Sequence, residues 1–328
     1  MDRQARHALG IDLGGTAIKL CLCDRTGRVL SGTALPTEAR HGPERALGAC
    51  AAAVDDLLRA AGVDRDDLTG AGIGAPGPML YSEGRLLDPG NLPGWKGFAL
   101  RERLADRLGL AVAMDNDANL AALGEWWIGA GRGVRDMALF TLGTGVGGGV
   151  ILDGELLRGH FANGAELGHM ILVPDGRECA CGQHGCLEAY SSATAAAAIA
   201  TELAQAHATS MLRTVLDRKG TLSSEDLVRA CLAGDEIAVQ AWKTVCFHLG
   251  AACVNVQHVL NVELIVFGGG MSGAGPLLLD AVRESFDKLT WKLAQDRPRL
   301  TLAELGADAG MIGAARLAFD VLGGPPGG

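Results

Sequence analysis

Aromatic residues are scarce in this chain: two Tyr, seven Phe and five Trp among 328 residues, or 4%. A core of stacked rings is therefore excluded, and the interior has to be filled by Ala, Val, Leu and Ile within an apolar content of 48%. Basic charge is also short, with 29 Lys and Arg against 38 Asp and Glu for a net charge of −9. That balance argues against nucleic acid as a partner, because phosphate contacts need clustered cations. Long unbroken apolar runs are missing too. The nearest, Thr244 to Val262, is interrupted by His248, Asn255, Gln257, His258 and Asn261, and reads as a buried amphipathic helix rather than a bilayer span. The polar start, Met1 to His7, holds no apolar signal core. No secreted disulfide framework is visible, since Cys21, Cys23, Cys50, Cys231, Cys246 and Cys253 are scattered in apolar settings typical of reduced thiols. A cytoplasmic protein with no membrane partner is expected. A charged content of only 20% beside 48% apolar residues excludes a disordered chain, and the length suits two domains or one large α/β unit.

Glycine, by contrast, is abundant: 48 residues, about twice the average share of ~7%. The glycines cluster at turns rather than repeating every third residue, which suits loops that approach a ligand closely. The pattern starts with three strands, Ala8 to Asp12, Ile18 to Cys23 and Val29 to Leu35, and then a helix from Pro43 to Ala61. A strand at Gly70 to Gly74, a helix at Leu100 to Leu108, a strand at Ala111 to Met114 and a helix from Ala118 follow. Met137 to Leu142, the glycine run Gly143 to Gly149 and the return strand Val150 to Leu152 repeat the opening motif, as an internal duplication would. Ser223 and Asp226 read as a helix cap, a long helix from Glu236 to Asn261 feeds the buried strand Leu264 to Phe267, and a helix begins near Ala274. The tail from Gly323 to Gly328 is expected to fray. Trp126 and Trp127 should point to different sides of their helix, one into the core.

Three constellations carry chemistry. The first is the turn after Asp12, with Gly14, Gly15 and Thr16. Its backbone amides can meet a phosphate, and a carboxylate at the strand end can hold a hydrated Mg²⁺. Taken alone it reads more readily as an ordinary hairpin. Its companion at Gly143, Thr144 and Gly145 is followed by neither Gly-Lys-Ser/Thr nor a helix, which sets it apart from the common nucleotide loops and suits a clamp on phosphates from two sides. A third cluster, Gly268 to Gly270, offers Gly269 and Gly270 as a flat surface for a base or ribose, or simply as a helix entry. The second constellation is Asp115-Asn116-Asp117-Ala118-Asn119 at a strand end. Asp117 can accept a proton from an attacking hydroxyl or serve as helix N-cap. The third, His169, Cys179, Cys181 and Cys186, has the residue types and spacing of a closed tetrahedral structural Zn²⁺ site. His184 is a weaker competitor for the fourth position.

In this order and combination the segments resemble the ROK family of sugar kinases, within the actin/hexokinase-like superfamily. The resemblance runs through Asp12 to Thr16, Gly74 to Pro78, Asn91 to Trp95, Asn116 to Asn119, Leu142 to Gly149, Glu166 to His169, the cysteine cluster, Glu188 and Gly268 to Gly270. It implies an α/β, two-domain actin/hexokinase-like (ribonuclease H-like) ATPase fold with an internal duplication and a central cleft. The small domain would be 1–117 with the C-terminal helix at about 310–328, and the large domain 118–309 with the zinc loop. The resemblance also implies an ATP-dependent sugar kinase acting on the 6-hydroxyl of a hexose, most like the bacterial glucokinases, and a homodimer. Asp117 would be the catalytic base. Asn91, Asn116, Glu166, His169 and Glu188 would hydrogen-bond the sugar, with His169 also on zinc. Asp12, Gly14, Gly15, Thr16, Gly143, Thr144 and Gly145 would face ATP phosphates and Mg²⁺, and Gly269 and Gly270 the adenosine. Asp115, where the family more often has Glu, and Val262, where Pro is common, depart from the pattern without touching a proposed role. N-acetylmannosamine, N-acetylglucosamine, fructose and allose are alternative acceptors. A sugar-responsive repressor is the non-enzymatic alternative, disfavoured because the first glycine turn begins at residue 12, with no helix-turn-helix segment before it.

Overall fold

The computed structural model describes residues 6–293 and 295–323, so the first five residues and the tail from residue 324 lie outside the described residues. By compactness the chain divides into two units. The first comprises Met1–Gly133, Leu156–Gly164 and Glu304–Gly328, and the second Val134–Glu155 and Ala165–Ala303.

In the first unit, β1 (His7–Leu13), β2 (Ala17–Asp24) and β3 (Val29–Pro36) form an antiparallel meander. Helix α1 (Pro43–Ala61) then leads to β4 (Leu68–Ala75), which pairs parallel with β1. A small hairpin, β5 (Met79–Leu80) with β6 (Arg85–Leu86), and helix α2 (Leu100–Leu108) precede β7 (Val112–Asn116), parallel to β4. Helix α3 (Asp117–Ile128) closes the segment, giving the sheet order β3-β2-β1-β4-β7. The second unit repeats the scheme. Its strands β8 (Met137–Leu142), β9 (Val146–Leu152), β10 (Glu155–Leu156), β11 (Leu264–Gly268) and β12 (Arg299–Leu302) are ordered β10-β9-β8-β11-β12, with β11 parallel to both β8 and β12. Between β10 and β11 lie the short α4 (Glu188–Ser191), then α5 (Ala193–Ala206), α6 (Met211–Lys219), α7 (Ser224–Leu232) and α8 (Glu236–Leu260). Helix α9 (Pro276–Leu289) joins β11 to β12, and α10 (Ala309–Leu322) returns the chain to the first unit. The duplication expected from two glycine turns is thus a duplication of topology.

Several local expectations meet the structure directly. Ser223 and Asp226 form a reciprocal capping box on α7. Helix α8 is long and apolar enough to cross a membrane, yet more than half of its most apolar stretch is buried, with Trp242, Val245, Cys246, Leu249 and Cys253 at or near zero exposure. The helix expected near Ala274 starts at Pro276, because Gly270–Ala274 winds as a 3-10 turn first. The glycine run is shorter as a turn than its sequence suggests: Gly147, Gly148 and Gly149 already belong to β9. Neither Trp126 nor Trp127 is fully buried, and the Arg316 guanidinium sits 5.6 and 5.4 Å from their rings.

Helix α10 packs on the first sheet through a cluster in which Ala8, Cys21 and Cys23 meet Met311, Ala315 and Ala318, and at two glycines backbone meets backbone directly. A Cβ at Gly10 would lie 1.8 Å from the Met311 carbonyl oxygen, and one at Gly72 1.8 Å from that of Ala314. On the other side of the helix, a Cβ at Gly313 would meet the Leu120 carbonyl of α3 at 1.8 Å. Glu125 of α3, fully buried, accepts the backbone N–H groups of Ala130, Glu304 and Leu305 at 2.7–3.1 Å, which fixes the chain just before α10. Both neighbours of Gly313 are backbone, so an added methyl has to displace a helix. Gly313→Ala is expected to lower stability by about 1–3 kcal/mol, seen as a lower denaturation midpoint. An unchanged midpoint would show that α10 does not sit this close.

Candidate active site

In the first unit the site is built on strand ends. The turn between β1 and β2 is closed by Gly14 N–H donating to the Ala17 carbonyl at 3.0 Å. Buried Thr37 holds it from behind: its hydroxyl donates to the Gly14 carbonyl at 2.6 Å and its N–H to the Thr16 carbonyl at 2.9 Å. Gly15 lies against Asn91, with room for no Cβ, since the Asn91 carbonyl oxygen would be 2.8 Å away. Buried Leu92 and Trp95 anchor the Asn91 loop. The glycine turn and Asn91, proposed for different ligands, are therefore direct neighbours.

Asp12 is the last residue but one of β1, and Asp117 opens α3. Burial pushes the Asp117 carboxyl above its usual proton affinity. Asp12 is pushed up to about 6, first by burial and next by the Asp117 charge, with Lys19 opposing. Lys19 stands opposite Asp12 in the β1–β2 register. A Cβ at Gly310 would lie 2.8 Å from the Asp12 carboxylate, so the first turn of α10 approaches it closely. Two half-buried carboxylates, the charge of Asp117 raising the proton affinity of Asp12, form an oxygen-rich set that fits Mg²⁺. The helix cap differs from the sequence reading. Asn116 is the N-cap, accepting from Ala118 N–H at 2.9 Å and Asn119 N–H at 3.3 Å, while Asp117 is the first helical residue and takes Ala118 N–H at 2.8 Å. Asn116 has the extended backbone a cap needs, φ −65° and ψ 144°.

In the second unit the turn at Gly143, Thr144 and Gly145 is latched from one side. The Gly143 carbonyl accepts Ala193 N–H at 2.8 Å, the Thr144 carbonyl accepts the Thr194 hydroxyl at 2.8 Å, and Val146 N–H donates to Glu188 Oε2 at 2.9 Å. A Cβ at Gly145 would stand 2.3 Å from Glu188 Oε2, so a side chain there would have to push this carboxylate aside. The other Glu188 oxygen accepts from Cys179 Sγ at 3.4 Å, so this carboxylate bridges the glycine turn and the thiol cluster. Gly269, at φ 80°, presses on the end of β8, where a Cβ would lie 2.5 Å from the Leu142 carbonyl oxygen. A Cβ at Gly270 would meet open space.

His169, Cys179, Cys181 and Cys186 bring one ligand atom each to within 4.8 Å of one another. The Cys179 Sγ to His169 Nδ1 and Cys181 Sγ to Cys186 Sγ distances are both 3.8 Å. A tetrahedron with Zn–S bonds of about 2.3 Å has edges of about 3.8 Å, so the set has the size and chemistry for zinc. His184 stands apart, with Nδ1 3.2 Å from the Gly176 carbonyl oxygen. Glu166 immediately precedes the 3-10 turn Leu167–His169, which is pressed onto β9: a Cβ at Gly168 would lie 1.9 Å from the Val146 carbonyl oxygen.

Sequence reasoning passed over Thr37 and Lys19, and named Asn119 without giving it a partner. Asn119 donates its side-chain amide to Asp115 at 2.8 Å, and the only available signal was its place one helical turn after Asp115. Nothing in the sequence marks Thr37, whose role depends on a turn more than twenty residues away.

The Asp12 shift has a defined sign. A folded-state value of about 6 against 3.8 means that the native protein holds this proton more tightly than the unfolded chain. Its contribution favours folding most below about pH 4 and is lost as pH rises to about 6. Asp12→Asn is therefore expected to stabilise the protein at pH 7 in chelator-containing buffer, on the order of 2 kcal/mol, with the gain vanishing near pH 4. Equal midpoints for both proteins at both pH values would remove the electrostatic account.

The ROK family model matches residues 8–321. A glucokinase of Halalkalibacterium halodurans is 39% identical over 309 residues, covering 94% of this chain and 93% of that protein. A glucokinase of Thermotoga maritima is 34% identical, covering 96% and 98%. Among solved structures, a ROK family glucokinase from Streptomyces griseus in complex with glucose and AMPPNP superposes with a TM-score of 0.79 at 34% identity, covering 96% of this chain and 99% of that one. With its topology duplicated, its glycine turns in place and its sequence matched almost end to end, the chain belongs to the ROK family and has the actin/hexokinase-like fold.

Proposed function

We propose that this protein is an ATP-dependent glucokinase, transferring the γ-phosphoryl group of ATP to the 6-hydroxyl of glucose. The observation that carries the reading is the Asp117 carboxylate, half-buried in the first turn of α3 with its proton affinity raised by desolvation, with Asp12 and the Gly14–Thr16 turn in the same unit. The names of its relatives, and the glucose and AMPPNP in the Streptomyces griseus structure, support it.

The protein's share of the chemistry is alignment. Asp117 accepts the proton of the 6-hydroxyl as its oxygen bonds to the γ-phosphorus and ADP departs. A proton affinity raised by burial suits a group that must take up that proton. Asn91, Asn116, Glu166, His169 and Glu188 are assigned to the sugar hydroxyls. The amides of Gly14, Gly15, Thr16, Gly143, Thr144 and Gly145 are assigned to the phosphates, and Gly269 and Gly270 to the adenosine. Mg²⁺ would be held on the Asp12 side and would neutralise phosphate charge when bound. Zinc on Cys179, Cys181, Cys186 and His169 Nδ1 would fix the loop and leave Nε2 of His169 for the sugar. Cytoplasmic location and a homodimer complete the proposal, the latter measurable by light scattering.

Asp117→Asn is expected to bind glucose with little change while kcat falls at least ~10²-fold; near-native turnover would refute the base assignment. In a panel of glucose, mannose, N-acetylmannosamine, N-acetylglucosamine and fructose, kcat/KM should be highest for glucose. A preference for another sugar would redirect the substrate and leave the kinase reading intact.

Burial holds the Cys179 thiol up at about 12, so zinc has to displace its proton. Zinc should accordingly be retained at neutral pH and released on acidification, and Cys186→Ser should lower both bound zinc, by elemental analysis, and the melting temperature. Wild-type protein carrying no zinc after growth in zinc-supplemented medium would exclude the site.

A further inference from the structure

Asp115 sits at the end of β7 directly before Asn116 and Asp117, with 2% of its side chain exposed. Its carboxylate is fully employed in positioning. Oδ1 accepts the Asn116 backbone N–H at 2.8 Å and the Asn119 side-chain amide at 2.8 Å, and Oδ2 accepts Nε of Arg158 at 2.7 Å. Asn119 is itself buried and its Oδ1 has no partner, so the bond to Asp115 sets its orientation. Arg158 comes from far away in sequence. It lies in Leu156–Gly164, a segment that belongs to the first unit although the chain on both sides of it belongs to the second. That segment is closed on itself by Gly164 N–H donating to the Arg158 carbonyl at 2.8 Å. The guanidinium also lies 5.6 Å from the Tyr81 ring centroid, in the β5–β6 hairpin.

Stability alone gives little reason for such a pair. A buried ion pair is often no better than apolar residues of the same volume, because desolvation offsets the attraction. What this one supplies is geometry: a charge anchored by a distant segment grips the carboxylate that in turn grips the Asn116 amide and the first turn of α3. We infer that Arg158 is a positioning residue for phosphoryl transfer, acting through Asp115 to hold Asn116 and Asp117 in register at the strand end. The inference rests on the assignment of Asp117 as base. It extends beyond the departure noted at Asp115, which on sequence alone touched no proposed role.

The test measures steady-state kinetics and thermal melting of Arg158→Met, Arg158→Lys, Asp115→Asn and the double variant Asp115→Asn/Arg158→Met, beside Asp117→Asn. Loss of register is expected to lower kcat about 10–100-fold in Arg158→Met and Asp115→Asn, with glucose KM changed by less than about threefold. Arg158→Lys, which keeps the charge, should recover kcat to within about tenfold of wild type, and the double variant should be no slower than either single one. Arg158→Met leaves a buried carboxylate unpaired. Should it fail to fold, the double variant, which leaves no buried charge, gives the answer. A folded double variant with kcat within about twofold of wild type overturns the inference. So does a general loss in which KM rises and kcat holds. If Asp117→Asn retains turnover, the base assignment fails first. If Asp117→Asn is inactive while Arg158→Met turns over normally, only the role of Arg158 is lost.

Discussion

The structure depends on backbone meeting backbone with nothing in between. Helix α10 rests on β1 and β4 at Gly10 and Gly72 and on α3 at Gly313, each position allowing no Cβ at all. The second unit uses the same device where Gly168 meets Val146 and Gly269 meets Leu142. Contacts this short leave little freedom for sliding, because any shift large enough to admit a methyl moves a whole helix or strand. The strand ends placed in this way carry the glycine turns, Asp12 and Asn116.

On that frame the charges are distributed unevenly. Asp115 is buried and matched by Arg158. Asp12 and Asp117 are two carboxylates of one sign whose burial costs stability, and Lys19 opposes this only in part. Asp115 and Asp117, two positions apart, thus differ because their surroundings differ. The compensated one orders the backbone. The other two hold their protons more tightly than a free carboxyl does. In the second unit Glu188 plays a connecting part, with one oxygen on the Val146 amide of the glycine turn and the other on a thiol of the cluster. The geometry of the second glycine turn is thereby joined to that of the thiol and imidazole cluster.

Much of this was legible from residue patterns. Turn glycines between apolar runs located both hairpins, helical spacing located α1, α2 and α8, and the spacing of three cysteines and a histidine located a cluster of the size the structure shows. The errors are equally instructive. The N-cap fell to Asn116 rather than Asp117, because the choice depends on which residue keeps an extended backbone as the strand ends. The glycine run looked like one long turn, but three of its members pair with β8, since a ladder partner can hold glycine in a strand against its local preference. The expected division of Trp126 and Trp127 holds in part: Trp127 packs against the buried cluster with Phe319 and Trp126 does not, but neither is fully buried and Arg316 from α10 lies by both rings.

The amino-acid order alone determined the element types, the repeated glycine turns and the family, because these follow from periodicities and spacings within a few residues. It could not assign Asp115 to Arg158, Thr37 to the first turn or Glu188 to the second. Those partners lie more than twenty residues away along the chain, and only the folded sheets decide which distant side chain arrives beside a given atom. Local pattern names the groups capable of chemistry; burial and long-range contact decide their charge, their orientation and which of them act together.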